Sequence, residues 1–167
     1  MKRSEFRWVL FFSFALLLVT SLPYLLGYQR AGNEWQFTGF VFGVDDGNSY
    51  IAKMLRGAEG DWLFRTPYSA VPQAGVVGFL PYLVLGKLTA QPGQHEQLVA
   101  LFHLYRWAGG FLLAWAVYQF AALFLADERQ RRFATALALA GGGLGWLAML
   151  GLGAVWCGIY PVPKLTR

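Results

Sequence analysis

Two adjacent carboxylates, Asp45 and Asp46, are the strongest candidates for chemistry in this 167-residue sequence. Neighbouring carboxylates repel each other unless a metal ion, another cation or the positive end of a helix offsets their charge. Each of those partners suits a catalytic or ligand-binding site, and a divalent cation is therefore one candidate cofactor. The polar residues Asn48 and Ser49 follow directly and predict the start of a helix, so the pair also fits an aspartate cap in a polar turn.

His103 and Arg106 form the second candidate group, because residues three apart lie on one face of a helix. An arginine inside an apolar segment costs about 2–3 kcal/mol near the bilayer centre. It therefore reaches the headgroup region, pairs with a carboxylate or faces a wet cavity. One interpretation is a pocket at the membrane surface that Arg106 shares with Asp45 and Asp46. The other is a salt bridge from Arg106 to a loop carboxylate.

Other motifs do not indicate chemistry. The glycine-rich run Gly141–Gly145 follows no strand and lies in an apolar segment, so helix packing explains it better than phosphate binding. His95 lacks metal-ligand spacing, and the single cysteine, Cys157, excludes an internal disulfide. The net charge of +5 comes from basic residues at the ends of apolar segments. That pattern predicts membrane lipid as a partner and argues against nucleic acid.

The composition predicts an all-α integral membrane protein. Hydrophobic residues make up 56% of the chain, aromatic residues 17% and charged residues only 14%, with a mean hydropathy of +0.41. The charges occur in short clusters, and the apolar runs between them are long enough to cross about 30 Å of hydrocarbon as helix. We predict about three transmembrane helices plus one or more interfacial helices in a long extracytoplasmic loop.

Residues 1–28 are predicted as a cytoplasmic N-terminus and a first transmembrane helix, retained because no cleavage site interrupts the apolar run. Its basic flank places the N-terminus in the cytoplasm of a multi-pass protein of the plasma or inner membrane. Residues 29–97 follow as the extracytoplasmic loop, which is ordered because it is rich in aromatic residues. Within it, a short amphipathic helix is expected between Asn48 and Gly60. Residues 74–90 are predicted as an interfacial or re-entrant helix, with a spanning helix as the alternative.

The remaining chain is predicted as a second transmembrane helix at 98–125, a cytoplasmic connector at 126–132, a third transmembrane helix at 133–156 and an outer tail at 157–167. The third helix has small residues on every side, which let neighbouring helices approach closely. It therefore predicts further helical partners. These would come from an oligomer, or from the rest of a longer chain of which this sequence is the N-terminal fragment.

An anchor helix followed by the segments Asp45–Asp46, Tyr50–Met54, Gly60–Leu63 and Pro67–Tyr68 resembles the N-terminal part of a GT-C type membrane glycosyltransferase. The likeness covers nearly the whole chain. In that superfamily, a first span leads into a large extracytoplasmic loop that starts with an acidic motif and contains interfacial helices. Members transfer a sugar from a polyprenyl-phosphate donor, and the acidic residue acts as general base or helps to bind a metal. The resemblance therefore implies that Asp45 or Asp46 is the catalytic residue, and the metal ligand if there is one.

By the same resemblance, Arg106 would hold the lipid phosphate, since a guanidinium matches phosphate oxygens bidentately. His103 would assist, and Tyr50 would contribute to substrate binding. A complete member has more spans and usually a C-terminal domain, so this chain alone is expected to be inactive. The alternatives are a transporter fragment and a non-catalytic membrane subunit that docks a partner with its aromatic loop. Transport is disfavoured because the predicted spans carry almost no charge apart from Arg106.

Overall fold

The computed structural model describes residues 2–31, 37–41, 43–91 and 93–141. These residues form the helices Arg3–Arg30 (α1), Val44–Ala58 (α2), Leu80–Gly86 (α3), Gln94–Phe124 (α4) and Glu128–Ala140 (α5). Within these ranges the only β-type pairing is a two-hydrogen-bond bridge between Phe64 and Val76. The predicted all-α fold class is therefore confirmed for the described residues.

Two helices, α1 and α4, are long and apolar enough to cross a membrane. They contain 28 and 31 residues, and at 1.5 Å per residue they extend over about 42 and 46 Å. Only 17% and 11% of their most apolar windows are buried. A core helix of a soluble protein would bury most of such a window, so the exposed apolar side chains favour lipid as their surroundings.

The chain divides into two compact units, Met1–Ser13 with Leu112–Arg167, and Phe14–Phe111. In the described part of the first unit, the buried carboxylate of Glu5 is the central polar group and is only 3% exposed. It accepts hydrogen bonds from the Tyr118 hydroxyl at 2.8 Å, from Arg131 Nη1 at 2.9 Å and from the backbone N–H of Lys2 at 2.5 Å. This network joins the start of α1 to α4 and α5, because each of the three helices contributes a member.

The second unit contains α2 and α3, which cross at two glycines. A Cβ on Gly57 would collide with the carbonyl of Leu83, and a Cβ on Gly86 would collide with the carbonyl of Met54. Glycine at both positions therefore lets the two backbones touch. The adjoining core of this unit consists of Phe40, Ile51, Met54, Leu98 and Val99. It fixes the buried side of α2 against the beginning of α4.

Three predicted features can be compared with the structure in whole or in part. Helix α2 begins at Val44, so Asn48 and Ser49 are inside the helix and do not cap it. In the 74–90 segment the helix covers only Leu80–Gly86, about 10 Å long and too short to cross a bilayer. Of the predicted third span at 133–156, α5 accounts for residues up to Ala140, and residues 142–167 lie outside the described residues.

Candidate functional site

Asp45 and Asp46 occupy the first turn of α2. The helix is preceded by Gly43, whose φ of 59° is the left-handed conformation that glycine adopts without strain. The carbonyl of Gly43 accepts the backbone N–H of Gly47 at 2.8 Å. Neither aspartate caps the helix, and among the described residues neither has a hydrogen-bond or ion-pair partner. The interpretation as an aspartate cap is therefore wrong, and the positive end of the helix is what offsets their charge.

The two carboxylates point in different directions. Successive residues of a helix are rotated by about 100°, so Asp46 shares a face with Tyr50 and Lys53, whereas Asp45 shares one with Ser49. Within the described ranges, no group of three or more His, Cys, Asp or Glu residues is arranged to hold a metal ion. In this part of the chain, the carboxylates of Asp45 and Asp46 are therefore not joined by a third ligand of these types.

Arg106 is anchored to α1 by uncharged partners. Its Nη2 donates to the Ser21 hydroxyl at 2.6 Å and its Nη1 to the Thr20 carbonyl at 3.4 Å. The guanidinium carbon lies 4.7 Å from the centre of the Tyr24 ring. Its Nε is buried without a hydrogen-bond partner. The alternative salt bridge to a loop carboxylate does not form among the described residues, and within that part of the chain the positive charge is held in place by uncharged groups.

The Ser21 hydroxyl is fully used in this arrangement. It donates to the Leu17 carbonyl at 2.7 Å and also accepts the indole N–H of Trp107 at 3.2 Å. Because Ser21 is fixed by these bonds, the Arg106 head is oriented by a rigid support on α1. Such a support is what a preorganised anion-binding group requires.

His103 is enclosed one turn before Arg106. Its Nε2 donates to the Gly39 carbonyl at 2.9 Å, and its ring packs edge-on against Tyr24 at 4.7 Å between ring centres. With the proton on Nε2, Nδ1 is left as an acceptor, and this atom is buried without a partner in the described part of the chain. His103 thus ties the chain before α2 to the same α4 face that carries Arg106.

An aromatic stack connects α2 with α3 and α4. Tyr50 stacks on Tyr82 at 4.8 Å and on Phe102 at 5.8 Å, and Tyr82 meets Tyr105 edge-on at 5.9 Å. Burial, together with the neighbouring hydroxyls of Tyr50 and Tyr105, raises the pKa of Tyr82. The Tyr82 hydroxyl therefore stays protonated at neutral pH and remains a hydrogen-bond donor.

The structure brings some of the predicted site residues together and leaves others apart. His103 and Arg106 both contact Tyr24, and Tyr50 contacts Phe102 beside His103. No contact among the described residues joins Asp45 or Asp46 to His103 or Arg106. Phe40 lies between them, because its ring packs on Gly47 of α2 and lies 6.0 Å from the His103 ring. Direct contacts that would close the predicted pocket are therefore not seen among the described residues, and the pocket stays a prediction.

Sequence reasoning missed the residues that support these groups, namely Ser21, Tyr24, Tyr82 and Lys53. The signal for Ser21 was present, because Thr20 and Ser21 interrupt an apolar run much as Arg106 does. Polar residues in two neighbouring spans tend to pair, since lipid offers them no alternative partner. The roles of Tyr82 and Lys53 depend on how α3 packs on α2, which the sequence pattern does not specify.

Comparisons with family models, curated proteins and solved structures give no match to this chain. A functional assignment therefore depends on the geometry of these residues and on the chemistry they can perform.

Proposed function

We propose that this chain is part of a GT-C type membrane glycosyltransferase that transfers a sugar from a polyprenyl-phosphate donor at the outer face of the membrane. The observation that carries the proposal is the Arg106 guanidinium, which is fixed by Ser21 and Tyr24 and has no carboxylate partner among the described residues. An arginine in an apolar helix normally acquires a counter-charge, because leaving it unpaired is costly. A lipid phosphate supplies that counter-charge.

The reaction follows from the roles of two charged groups. Asp46 takes the proton of the acceptor hydroxyl, and the hydroxyl oxygen attacks the anomeric carbon of the donor sugar. The bond from that carbon to the phosphate oxygen breaks, and its electron pair leaves with the polyprenyl phosphate. Arg106 stabilises the negative charge that grows on this phosphate. Attack opposite the leaving group inverts the configuration at the anomeric carbon.

Asp46 is preferred to Asp45 as the base because of its position on α2. It shares a helical face with Tyr50, whose ring stacks on Phe102 of α4. Phe102 in turn precedes Arg106 by four residues, which places both on one face of α4. A sugar lying along this aromatic surface would bridge the separation between carboxylate and guanidinium. Tyr50 is then a substrate-binding residue, and His103 positions the chain that enters α2.

The membrane orientation belongs to the same proposal. Helices α1 and α4 cross the bilayer, the N-terminus lies in the cytoplasm, and the segment between the two helices lies on the outer face. The basic residues that precede the apolar part of α1, Lys2, Arg3 and Arg7, support this orientation. Basic residues that flank a spanning helix are enriched on the cytoplasmic side of the membrane.

The test is sugar transfer by the full-length protein in native membranes, with radiolabelled polyprenyl-phosphate sugars as donors. Asp46→Asn should reduce the rate by about 10²–10⁴-fold, the usual contribution of a general base. Asp45→Asn should reduce it by much less. Glu59→Gln is the matched control, because its carboxylate is half exposed and pairs only with Arg56 and so lies outside the site.

Unchanged transfer by the Asp46→Asn variant would contradict the enzyme assignment. Loss of protein from the membrane, without a defect in the transfer rate per molecule, would instead favour a docking subunit. The two outcomes can be distinguished because protein abundance and the rate of sugar transfer are measured in the same membranes.

A further inference from the structure

Helix α5 and the turn before it form an open groove in the first compact unit. The groove has a volume of about 460 Å³ and is lined by Leu125, Arg129, Gln130, Phe133 and Ala134. Phe133 is a large apolar side chain, yet 70% of it is exposed. A groove that combines an apolar wall with one cation fits a ligand that is itself partly apolar and partly anionic.

The shape of the groove is fixed by the turn between α4 and α5. Arg131 Nε donates to the Leu125 carbonyl at 2.7 Å, and its Nη2 donates to the Ala126 carbonyl at 3.0 Å. Its Nη1 binds the buried Glu5 carboxylate at 2.9 Å. These bonds hold Leu125 and the first turns of α5 in one arrangement. The groove is therefore formed before a ligand binds, which lowers the entropy lost on binding.

The charge in the groove has no counter-charge in the described part of the chain. Of the three arginines on α5, two pair with Glu5 and Glu128, whereas Arg129 has no carboxylate partner among the described residues. The Asp127 carboxylate caps the helix and accepts the backbone N–H of Arg129 at 3.1 Å. The exposed guanidinium of Arg129 keeps its own N–H donors for an anion, which it can bind with two parallel hydrogen bonds.

The groove begins where the apolar helix α4 ends. This helix is long and apolar enough to cross a membrane, and its last residues, Leu123 and Phe124, are 76% and 72% exposed. When α4 spans the bilayer, Arg129 therefore lies close to the headgroups. Phe133 and Leu137 follow at intervals of four residues and extend about 12 Å from Arg129 along α5. A cation followed by exposed apolar side chains matches the charged head and the acyl chain of a phospholipid.

We propose that this groove binds one anionic phospholipid, with its phosphate on the Arg129 guanidinium and an acyl chain against Phe133. A phosphatidylcholine fits less well, because its own choline offsets the charge of the phosphate. The proposal requires that α4 crosses the bilayer, as proposed above, but it does not depend on sugar transfer. It differs from the general attraction of basic residues to anionic membranes, because it assigns binding to one guanidinium and one apolar wall.

The experiment titrates the full chain, in a non-ionic detergent, with dioleoyl phosphatidylglycerol, and native mass spectrometry counts the bound lipids. Phosphatidylcholine with the same acyl chains and glycerol 1-phosphate, which has none, are the comparisons. Arg7→Gln is the matched control for Arg129→Gln, because Arg7 is an exposed arginine of the same unit that does not line the groove. Phe124→Ala is the control for Phe133→Ala, since the two residues are 72% and 70% exposed and Phe124 lies outside the groove.

The first phosphatidylglycerol should bind about tenfold more tightly than phosphatidylcholine, the effect of one charge-assisted hydrogen bond. Arg129→Gln should abolish this preference, Arg129→Lys should keep part of it, and Arg7→Gln should change the affinity by less than about twofold. Phe133→Ala should weaken binding by about two- to fivefold through the lost contacts of one ring, whereas Phe124→Ala should not. Thermal unfolding checks that each variant is folded.

Equal affinities for phosphatidylglycerol and phosphatidylcholine would overturn the proposal. Equal losses in Arg129→Gln and Arg7→Gln would overturn it in favour of a general electrostatic attraction. Competition by glycerol 1-phosphate as effective as that by phosphatidylglycerol would show that the groove binds an anion and not a phospholipid. Because sugar transfer is not measured, failure of this proposal is distinct from failure of the enzymatic one.

Discussion

Replacing Arg106 tests whether its guanidinium holds the donor phosphate. Arg106→Lys keeps the positive charge but removes the planar fork that contacts Ser21 and Thr20 and that we propose also binds a phosphate. A lysine that replaces this fork loses about one charge-assisted hydrogen bond to the phosphate, worth about 1.5–3 kcal/mol. The dissociation constant for polyprenyl phosphate should then rise about 10- to 150-fold. Arg106→Gln should weaken binding further, because it also removes the charge.

Ser21→Ala separates positioning from charge. The variant leaves Arg106 in place but removes the hydroxyl that its Nη2 contacts at 2.6 Å. The guanidinium is then less ordered, and the loss of a typical hydrogen bond, about 0.5–1.5 kcal/mol, predicts an affinity about 2- to 10-fold lower. A graded series, with Ser21→Ala weaker than wild type and Arg106→Lys weaker still, is the expected result.

The assay is equilibrium binding of fluorescent polyprenyl phosphate to the protein in nanodiscs, with thermal unfolding as a check on folding. Arg65→Lys is the matched control, since its guanidinium contacts Asp61 at 3.5 Å in the loop and is not in an apolar helix. If folded Arg106→Lys and Arg106→Gln proteins bind within twofold of wild type, the guanidinium does not hold the phosphate. The absence of a carboxylate beside Arg106 among the described residues would then not indicate a bound phosphate.

The remaining predictions concern packing and orientation. Gly86→Ala should destabilise the protein by about 1–3 kcal/mol in thermal unfolding, because its Cβ would strike the backbone of α2, whereas Gly78→Ala should have little effect because its Cβ meets nothing within 4 Å. Glu5→Gln should cost about 2–3 kcal/mol by removing the charge of a buried ion-pair partner, while the exposed Glu59→Gln should cost less than about 1 kcal/mol. In a chain whose native cysteine is replaced by serine, single cysteines at Glu59 and Gln130 should be labelled from opposite sides of the membrane. Labelling from one side would contradict the proposed orientation.

The amphipathic pattern predicted a helix in the loop but placed its start too late. Asn48 and Ser49 are typical capping residues, so the sequence pattern favoured them. The actual start is determined by Gly43, whose left-handed conformation turns the chain into the helix without a side-chain cap. Two aspartates then occupy the first turn, where the helix dipole stabilises negative charge. A backbone conformation available mainly to glycine thus outweighed side-chain preference.

The sequence indicates the candidate residues but not the contacts that they make. The apolar run around Arg106 indicates that its charge reaches the headgroup region, pairs with a carboxylate or faces a wet cavity, and the pattern does not specify which. The structure supplies hydroxyl and ring partners from α1, because the register between α1 and α4 brings Ser21 and Tyr24 alongside Arg106. Neither helix has a single apolar face, because both are apolar nearly all round. Their hydrophobic pattern therefore does not indicate which residues of α1 lie beside which residues of α4. For that reason the sequence does not predict these contacts.

Photo-crosslinking tests the proposed phosphate site most directly, because it shows whether a polyprenyl phosphate binds this chain and at which residues. A diazirine placed beside the phosphate of such a lipid would label the nearest residues on irradiation, and mass spectrometry would identify the labelled peptides. We expect labelling within 20–24 and 102–106, with competition by unlabelled polyprenyl phosphate. Labelling spread evenly along α1 and α4, or unaffected by the competitor, would contradict it.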